Sequence, residues 1–265
     1  MARRHQLIGP GTIRKVSRKV QASVARYAYV RFMEVQLRPT PILDYDRPSV
    51  QALVAKRGWR DLPYGIRIGA VYDFVRNEIG FGYNTSDELA ASQVLADGYG
   101  QCNTKTSLLM ALLRAVDVPC RFHGATIDKR LQKGVVDGIL YRLAPRDILH
   151  SWAEVRFEDR WVDLEGVILD ADYLSGLRNK VASDGAFLGY GAGTENIDDP
   201  PVAWTGTDTA IQKTGVNRDL GTYEDPDDFY RKHGTNLTGV RNLMFRTVIR
   251  HVMNRKVAAI RSCRG

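Results

Sequence analysis

Cys102 and His150 are the two residues whose types could combine into a nucleophile and its base. Cys102 ends the segment GYGQC and precedes the apolar run SLLMALL, while His150 begins HSWAEV. A thiol attacks a carbonyl carbon as its thiolate, and an imidazole can remove the thiol proton. Because cysteine is also among the most buried residue types, a core thiol at the head of a helix is the alternative.

A carboxylate near His150 would complete a triad, and two acids are candidates. Trp161, Asp163 and Glu165 alternate along a predicted strand and should therefore share one face of it. Either acid could accept the second ring proton of His150 and fix the tautomer needed for catalysis. The spacing alone leaves both acids open.

The segments around these residues predict the elements that would position them. Leu108, Leu109, Leu112 and Leu113 form an apolar stripe, which indicates a buried helix beginning at Cys102. The positive end of such a helix favours a thiolate, and Gly98 and Gly100 allow the chain to turn sharply into it. Further elements are predicted as helices over residues 64–79 and 87–95, and strands over 121–127, 150–157 and 161–168.

These motifs resemble the transglutaminase-like superfamily: GYGQC before an apolar helix, HSW on one strand and WVDLE on its neighbour. The resemblance covers roughly residues 65–170. It implies an α+β, papain-like fold in which a cysteine-bearing helix packs on an antiparallel sheet that carries histidine and acid. The family acid is usually an Asp four positions after the strand tryptophan, where this sequence has Glu165 and where Asp163 stands two positions earlier. The resemblance thus implies catalytic roles for Cys102, His150 and Glu165, with Asp163 as the alternative acid.

The expected activity is cysteine-dependent acyl transfer on an amide bond of a protein or peptide, through a thioester intermediate. Water as the acceptor would give a peptidase or amidase, and a primary amine would give a protein-glutamine transglutaminase. The backbone N–H of Cys102 is one expected oxyanion donor, and the second is unassigned. The alternative function is a catalytically inactive binding protein that uses basic terminal helices on a membrane surface or an acidic partner.

The net charge of +8 is concentrated at the two ends of the chain. Residues 1–38 contain nine Arg or Lys against Glu34 alone, and residues 240–265 contain seven with no acid, which leaves −7 for the middle. Both ends also show the periodicity of amphipathic helices, from Ile13 to Tyr27 and from Leu243 to Ile260. We expect one domain with a core at 65–170, basic helical extensions at 1–38 and 240–265, and a loop-rich cover at 171–239.

The sequence predicts no cofactor, no metal site and no specific nucleic-acid binding. Cys120 and His123 are three residues apart on a predicted strand and should point to opposite faces, and His123 fits a structural role better than that of base. FLGYGAG lacks the following lysine of a phosphate loop. Three cysteines without a disulfide framework, no apolar run long enough to span a membrane and no secretory signal predict a cytoplasmic protein.

Overall fold

The helix that begins at Cys102 runs through the centre of the fold. All fourteen residues from Cys102 to Ala115 are buried, so this helix is covered on every side. Its leucines pack in the main hydrophobic cluster, as the apolar stripe predicts. The five residues between Cys102 and Leu108 are polar (NTKTS) and equally buried, which requires a hydrogen-bonding partner for each of them.

The computed structural model describes residues 23, 27, 34–181 and 185–263. The predicted N-terminal helix, apart from two of its positions, lies outside these residues. The described helices are α1 Pro48–Arg57, α2 Tyr64–Asn77, α3 Ala91–Asp97, α4 Cys102–Ala115, α5 Gly138–Leu143, α6 Ala171–Lys180, α7 Pro226–His233, α8 Gly239–Met244 and α9 Arg250–Arg261, with a π-helical segment Phe245–Ile249 between the last two. The strands are β1 Gly80–Phe81, β2 Tyr99–Gly100, β3 Cys120–Asp128, β4 Asp147–Phe157, β5 Arg160–Asp163, β6 Phe187–Gly189, β7 Ala192–Thr194 and β8 Val216–Tyr223.

A four-stranded antiparallel sheet, in the order β5-β4-β3-β8, lies against α4. Strands β3 and β4 pair along their whole length, from Cys120 opposite Val155 to Asp128 opposite Asp147. Strand β5 pairs with β4 only as far as Glu154, so the stretch of β4 around His150 has no strand on that side. This arrangement is the α+β, transglutaminase-like fold that was predicted.

The structure differs from the sequence predictions at several element boundaries. Strand β5 ends at Asp163, because Glu165–Val167 form a 3-10 turn in place of a continued strand. The region 171–239 contributes β8, an edge strand of the main sheet that the sequence analysis did not predict. The segment between β3 and β4, residues 129–146, which we call the insertion, contains a 3-10 turn at Lys129–Gln132 and the short helix α5.

The C-terminal segment runs on from α8 through the π-helical turn to α9, as the apolar periodicity predicts. Met253, Val257 and Ile260 are buried, and Asn254 and Arg261 hydrogen-bond to Tyr83 and Asp170, respectively. The second half of this segment is thereby fixed to the body of the protein. No helix in the described ranges combines the length and hydropathy that a membrane-spanning segment requires.

Lys105 is a fully buried lysine on α4 that closes the end of α2. Its ammonium donates to the carbonyl oxygens of Arg76 at 3.0 Å and Ile79 at 2.7 Å. Burial lowers the pKa of Lys105 to about 7, against the opposing influence of Asp170. Between this value and the ordinary lysine pKa near 10.4, the unfolded chain holds a proton that the folded protein has lost.

The difference in unfolding free energy between the wild type and Lys105→Met is therefore expected to be larger at high pH than at low pH. The wild-type protein gains up to about 1.4 kcal/mol per pH unit through this group as pH rises from 7 towards 10, and the variant does not. Urea unfolding at pH 7 and pH 9 should show the difference between the two proteins widening by about 2 kcal/mol. The exposed Lys56→Met is the matched control, and a pH-independent difference for Lys105→Met would contradict the prediction.

Candidate active site

The turn into α4 brings Cys102 to the helix N-terminus. Gly98 ends α3 with φ 71°, a left-handed conformation that glycine adopts without strain. Gly100 has another role, because a Cβ there would lie 2.7 Å from the hydroxyl oxygen of Thr104. That hydroxyl caps the backbone N–H of Gln101 at 3.0 Å and donates to the Asn84 side chain at 2.6 Å. The two glycines thus allow a tight, hydrogen-bonded start to the helix.

Asn103 connects the end of α4 to the strand that carries His150. Its side-chain nitrogen donates to the carbonyl oxygen of Leu149 at 3.3 Å, and its side-chain oxygen accepts from the Ser151 hydroxyl at 2.9 Å. Both neighbours of His150 are therefore bound to the residue that follows Cys102. The Cys102 thiol lies 3.7 Å from the same side-chain oxygen. One buried asparagine holds the thiol-bearing helix end and the imidazole-bearing strand in register.

His150 lies fully buried, with Nε2 directed towards Glu165. The distance from Nε2 to Glu165 Oε1 is 3.2 Å, which is within ion-pair range. The two groups are not aligned for a hydrogen bond, and neither ring nitrogen has another partner among the described residues. Misaligned contacts of this kind are common before substrate binds. With Nε2 facing the acid, Nδ1 is the ring nitrogen that remains for another partner, and it makes no hydrogen bond to the Cys102 thiol in the described structure.

Glu165 is fixed by the backbone of residues 211 and 212. One of its oxygens accepts a short hydrogen bond from the N–H of Ile211, and the N–H of Gln212 lies 2.9 Å from Oε1. The side chain is 3% exposed, so the carboxylate is buried and satisfied by backbone donors. These donors hold Oε1 at the distance from His150 given above.

Asp163 points elsewhere, so the expectation that Asp163 and Glu165 share one strand face is wrong. The strand ends at Asp163, and the 3-10 turn that follows rotates Glu165 out of the alternation of the strand. Asp163 lies 3.3 Å from the ammonium of Lys213 and within 4.8 Å of ligand atoms of His123 and Glu154. Of the two candidate acids, the structure brings Glu165 to His150.

His123 belongs to a separate ion-pair network on the sheet. Its Nδ1 is 2.5 Å from Glu154 and its Nε2 is 2.9 Å from Asp219, while Arg121 lies 2.5 Å from Glu154. Burial opposes protonation of His123, but its hydrogen bonds to the two carboxylates raise its pKa above the usual value. Both ring nitrogens are engaged by acids, which fits the structural role predicted for this histidine.

The buried position of Cys102 favours the protonated form of its thiol. Burial raises its pKa to about 12, and the carboxylates of Asp87 and Glu165 act in the same direction. The backbone N–H groups of Asn103 and Ser151 favour the thiolate but do not outweigh burial. The backbone N–H of Asn103 acts in the direction predicted for the helix N-terminus, but burial has the larger influence on the pKa of the thiol. A nucleophilic role for this thiol would therefore call for a base close to the sulfur.

Cys102 lies in the wall of a cavity of about 230 Å³. The insertion contributes Val136, Leu140 and Leu143 to the lining, and the C-terminal segment contributes residues such as Phe245 and Ile249. The lining is mainly apolar, and its polar residues include Asp87, Gln101 and Asn103 on one side and Arg241 and Asn242 of the C-terminal segment on another. A reacting group with a large apolar substituent would fit beside the thiol.

Sequence reasoning missed Asp87 and Asn103. Asp87 lines the cavity and accepts hydrogen bonds from Gln101, Asn103 and Asn236, at 3.3, 3.2 and 2.9 Å. The polar run NTKTS at the start of an otherwise apolar helix was the available signal for Asn103, because buried polar residues need partners. No comparable signal marked Asp87, which lies in a turn of polar residues.

Comparison with known proteins gives a family similarity for the central part of the chain. No curated protein matches the sequence. A solved structure from Cytophaga hutchinsonii, described as a "Putative Cysteine Protease", aligns with 14% identity and a TM-score of 0.43 over 75% of this chain and 48% of that one. The chain thus spans about half the length of that structure. Residues 61–166 match the family model described as the transglutaminase-like superfamily, and they include Cys102, His150, Asp163 and Glu165. Over residues 61–166 the chain is therefore similar to the transglutaminase-like superfamily.

Proposed function

We propose that this protein is a cysteine-dependent acyl-transfer enzyme that cleaves amide bonds whose acyl group is apolar. The observation that supports this most directly is the clamp made by Asn103, which binds both neighbours of His150 to the residue after Cys102. The 3.2 Å approach of Glu165 to His150 and the cavity beside the sulfur agree with it. A transglutaminase-like core is consistent with the same chemistry.

In the first half-reaction, Nδ1 of His150 takes the proton of the Cys102 thiol as the sulfur attacks the amide carbonyl carbon. The carbonyl oxygen gains negative charge, which the backbone N–H of Cys102 at the helix N-terminus stabilises. The C–N bond then breaks, and the imidazolium donates its proton to the departing amine. Glu165 keeps the imidazole oriented and stabilises its charged form. The product of this step is a thioester on Cys102.

In the second half-reaction, water or a primary amine attacks the thioester carbonyl. His150 accepts a proton from the attacking group, the C–S bond breaks, and the proton returns to the sulfur. Water yields a carboxylic acid, and an amine yields a new amide. A buried imidazole and a largely enclosed thiol limit the entry of bulk water, so the acceptor depends on what reaches the cavity.

The cavity supports an apolar acyl group because that group stays attached to Cys102 as the thioester. A cavity of 150 Å³ with an apolar lining can hold benzene, so about 230 Å³ accommodates a large aliphatic or aromatic group. Glutamine, the acyl donor of a protein transglutaminase, has a short polar side chain. It would leave most of the apolar lining of this cavity without an apolar group in contact with it. We therefore favour an amidase or peptidase with an apolar acyl specificity.

A series of N-acyl aminocoumarin amides with acetyl, butyryl, hexanoyl and octanoyl groups tests this function. Each added methylene buried in the cavity contributes about 0.8 kcal/mol, so kcat/KM should rise roughly fourfold per methylene until the cavity is filled. Cys102→Ser should abolish release of the coumarin. Adding a diamine and weighing the products by mass spectrometry separates hydrolysis from transfer.

Leu140 and Ile139 provide a matched pair for the acyl specificity. Leu140 lines the cavity, whereas Ile139 on the same short helix is 70% exposed and does not line it. Leu140→Gln should reduce cleavage of the octanoyl amide by tenfold or more and leave the acetyl amide nearly unchanged, while Ile139→Gln should affect neither. Cleavage that survives Cys102→Ser would contradict the nucleophile, and rates independent of chain length would contradict the apolar acyl group.

A further inference from the structure

Large apolar side chains are exposed mainly on α5 and on the C-terminal segment between residues 240 and 252. Of the ten that are exposed in the described part of the chain, seven lie on α5 or between residues 240 and 252. Their exposed fractions range from 38% to 74%. We call this set the apolar patch: Ile139, Leu143, Val240, Leu243, Met244, Val248 and Val252. Large exposed apolar patches on a protein surface mark sites that bind other proteins, ligands or membranes.

The C-terminal segment has two apolar stripes, and the side chains of one of them are exposed. Phe245 and Ile249 pack against the core, and Met253 lies within it. Val240, Met244, Val248 and Val252 recur every four residues and are all exposed. The inner stripe is sufficient to attach the segment, so packing within the described chain does not explain the outer one.

The same segment is strongly basic. Residues 240–265 contain seven Arg or Lys and no acid, and Arg241 and Arg246 are exposed between the residues of the apolar patch. An apolar stripe interleaved with arginines is complementary to a surface that offers both negative charge and an apolar phase. Nucleic acid offers the charge without the apolar phase. A second copy would bring arginines against arginines, which opposes pairing through this face.

We propose that α8, the π-helical turn, the start of α9 and α5 form a surface that binds bilayers containing anionic lipids. The apolar patch enters the boundary between headgroups and acyl chains, and the arginines contact lipid phosphates. Leu143 and Met244 belong to the patch and also line the cavity beside Cys102, so the bound bilayer faces the cavity mouth. The proposal does not depend on Cys102 being catalytic.

Vesicle flotation with the full-length protein tests this surface. Vesicles of phosphatidylcholine alone should not float the protein, whereas vesicles with 30% phosphatidylglycerol should do so at 0.1 M NaCl and less at 0.5 M. The double variant Leu243→Asp/Val248→Asp should lower the partition coefficient at least tenfold. Arg246→Gln should lower it about fivefold, because one basic residue near an anionic surface contributes about that factor.

Ile66→Asp is the matched control for the apolar substitutions. Ile66 is 60% exposed on α2, outside the patch and the cavity, so this variant should bind vesicles as the wild type does. Equal thermal midpoints for the control and the double variant show that both are folded. Since Leu243 and Val248 do not line the cavity, cleavage of the butyryl amide should be unchanged in the double variant.

Three results would overturn the proposal. One is the absence of flotation with anionic vesicles, and another is flotation that the double variant and Ile66→Asp reduce equally. The third is a concentration-dependent dimer in gel filtration that the double variant abolishes, which would assign the apolar patch to a second copy. Absence of amide cleavage together with unchanged flotation would instead contradict the proposed enzymatic function. The proposal of a lipid-binding surface would still hold.

Discussion

Replacing His150 with alanine is expected to reduce alkylation of Cys102 at pH 7 by a factor of about 100 to 1,000. Burial raises the pKa of the Cys102 thiol to about 12, so little thiolate forms at neutral pH unless a nearby base takes the proton. In the proposed mechanism, His150 of the wild type accepts the proton inside the site, which would make the sulfur reactive. In the variant this route is absent, and the rate should rise about tenfold per pH unit well into the alkaline range.

The chain supplies its own reference thiols for this experiment. Cys263 is exposed and Cys120 is fully buried, so iodoacetamide should label the first at an ordinary rate and the second hardly at all. Mass spectrometry of the three cysteine peptides gives all rates from one sample. His150→Gln controls for the space left by alanine. Equal reactivity of Cys102 in the wild type and both variants would contradict the proposed roles of Cys102 as nucleophile and His150 as its base.

The second large effect is expected at Glu165. Glu165→Gln keeps the size of the side chain but places an amide near the N–H donors of Ile211 and Gln212, and it removes the charge that faces His150. Turnover of the octanoyl amide should fall by about 10² to 10⁴, as it does when the orienting acid of a triad is neutralised. The free energy of unfolding should decrease by about 1–3 kcal/mol because buried donors lose their acceptor.

Asp163→Asn is the matched comparison, because Asp163 is the other acid that the sequence allows. Its carboxylate pairs with an exposed lysine, so we expect less than a threefold change in turnover. The pH profile of kcat/KM distinguishes orientation of His150 from general damage. Glu165→Gln should shift the acid limb of the kcat/KM profile along the pH axis, and Asp163→Asn should leave the profile unchanged. A profile displaced by Asp163→Asn alone would show that Asp163 is the orienting acid.

Local periodicity was enough to predict the elements that carry the site. The helix from Cys102 and the strands around residues 121–127 and 150–157 each have an unbroken apolar pattern over most of their length, and all three are present. Strand β8 was missed because its sequence, VNRDLGTY, is polar and its residues are at least partly exposed at the sheet edge. An edge strand of this kind owes its conformation to pairing with β3, which local sequence does not encode.

The choice between the two acids could not be made from spacing. Alternation predicts that residues 163 and 165 face the same way only if the strand continues, and the 3-10 turn after Asp163 breaks that condition. The turn forms where Gly166 and Glu165 meet residues 209–212, which are more than forty positions later in the chain. A contact that distant leaves no signal in a short window of sequence.

The sequence by itself determined which side chains can do chemistry and which elements carry them, because thiol, imidazole and carboxylate are fixed by residue type and periodicity is a local property. The tertiary structure decided that Asn103 joins helix to strand, that Glu165 lies beside His150, and that burial raises the pKa of Cys102. It also decided that an apolar cavity, lined in part by the C-terminal segment, opens beside the sulfur. These features arise from segments more than 150 residues apart, and their desolvation and distances exist only once the chain has folded around them.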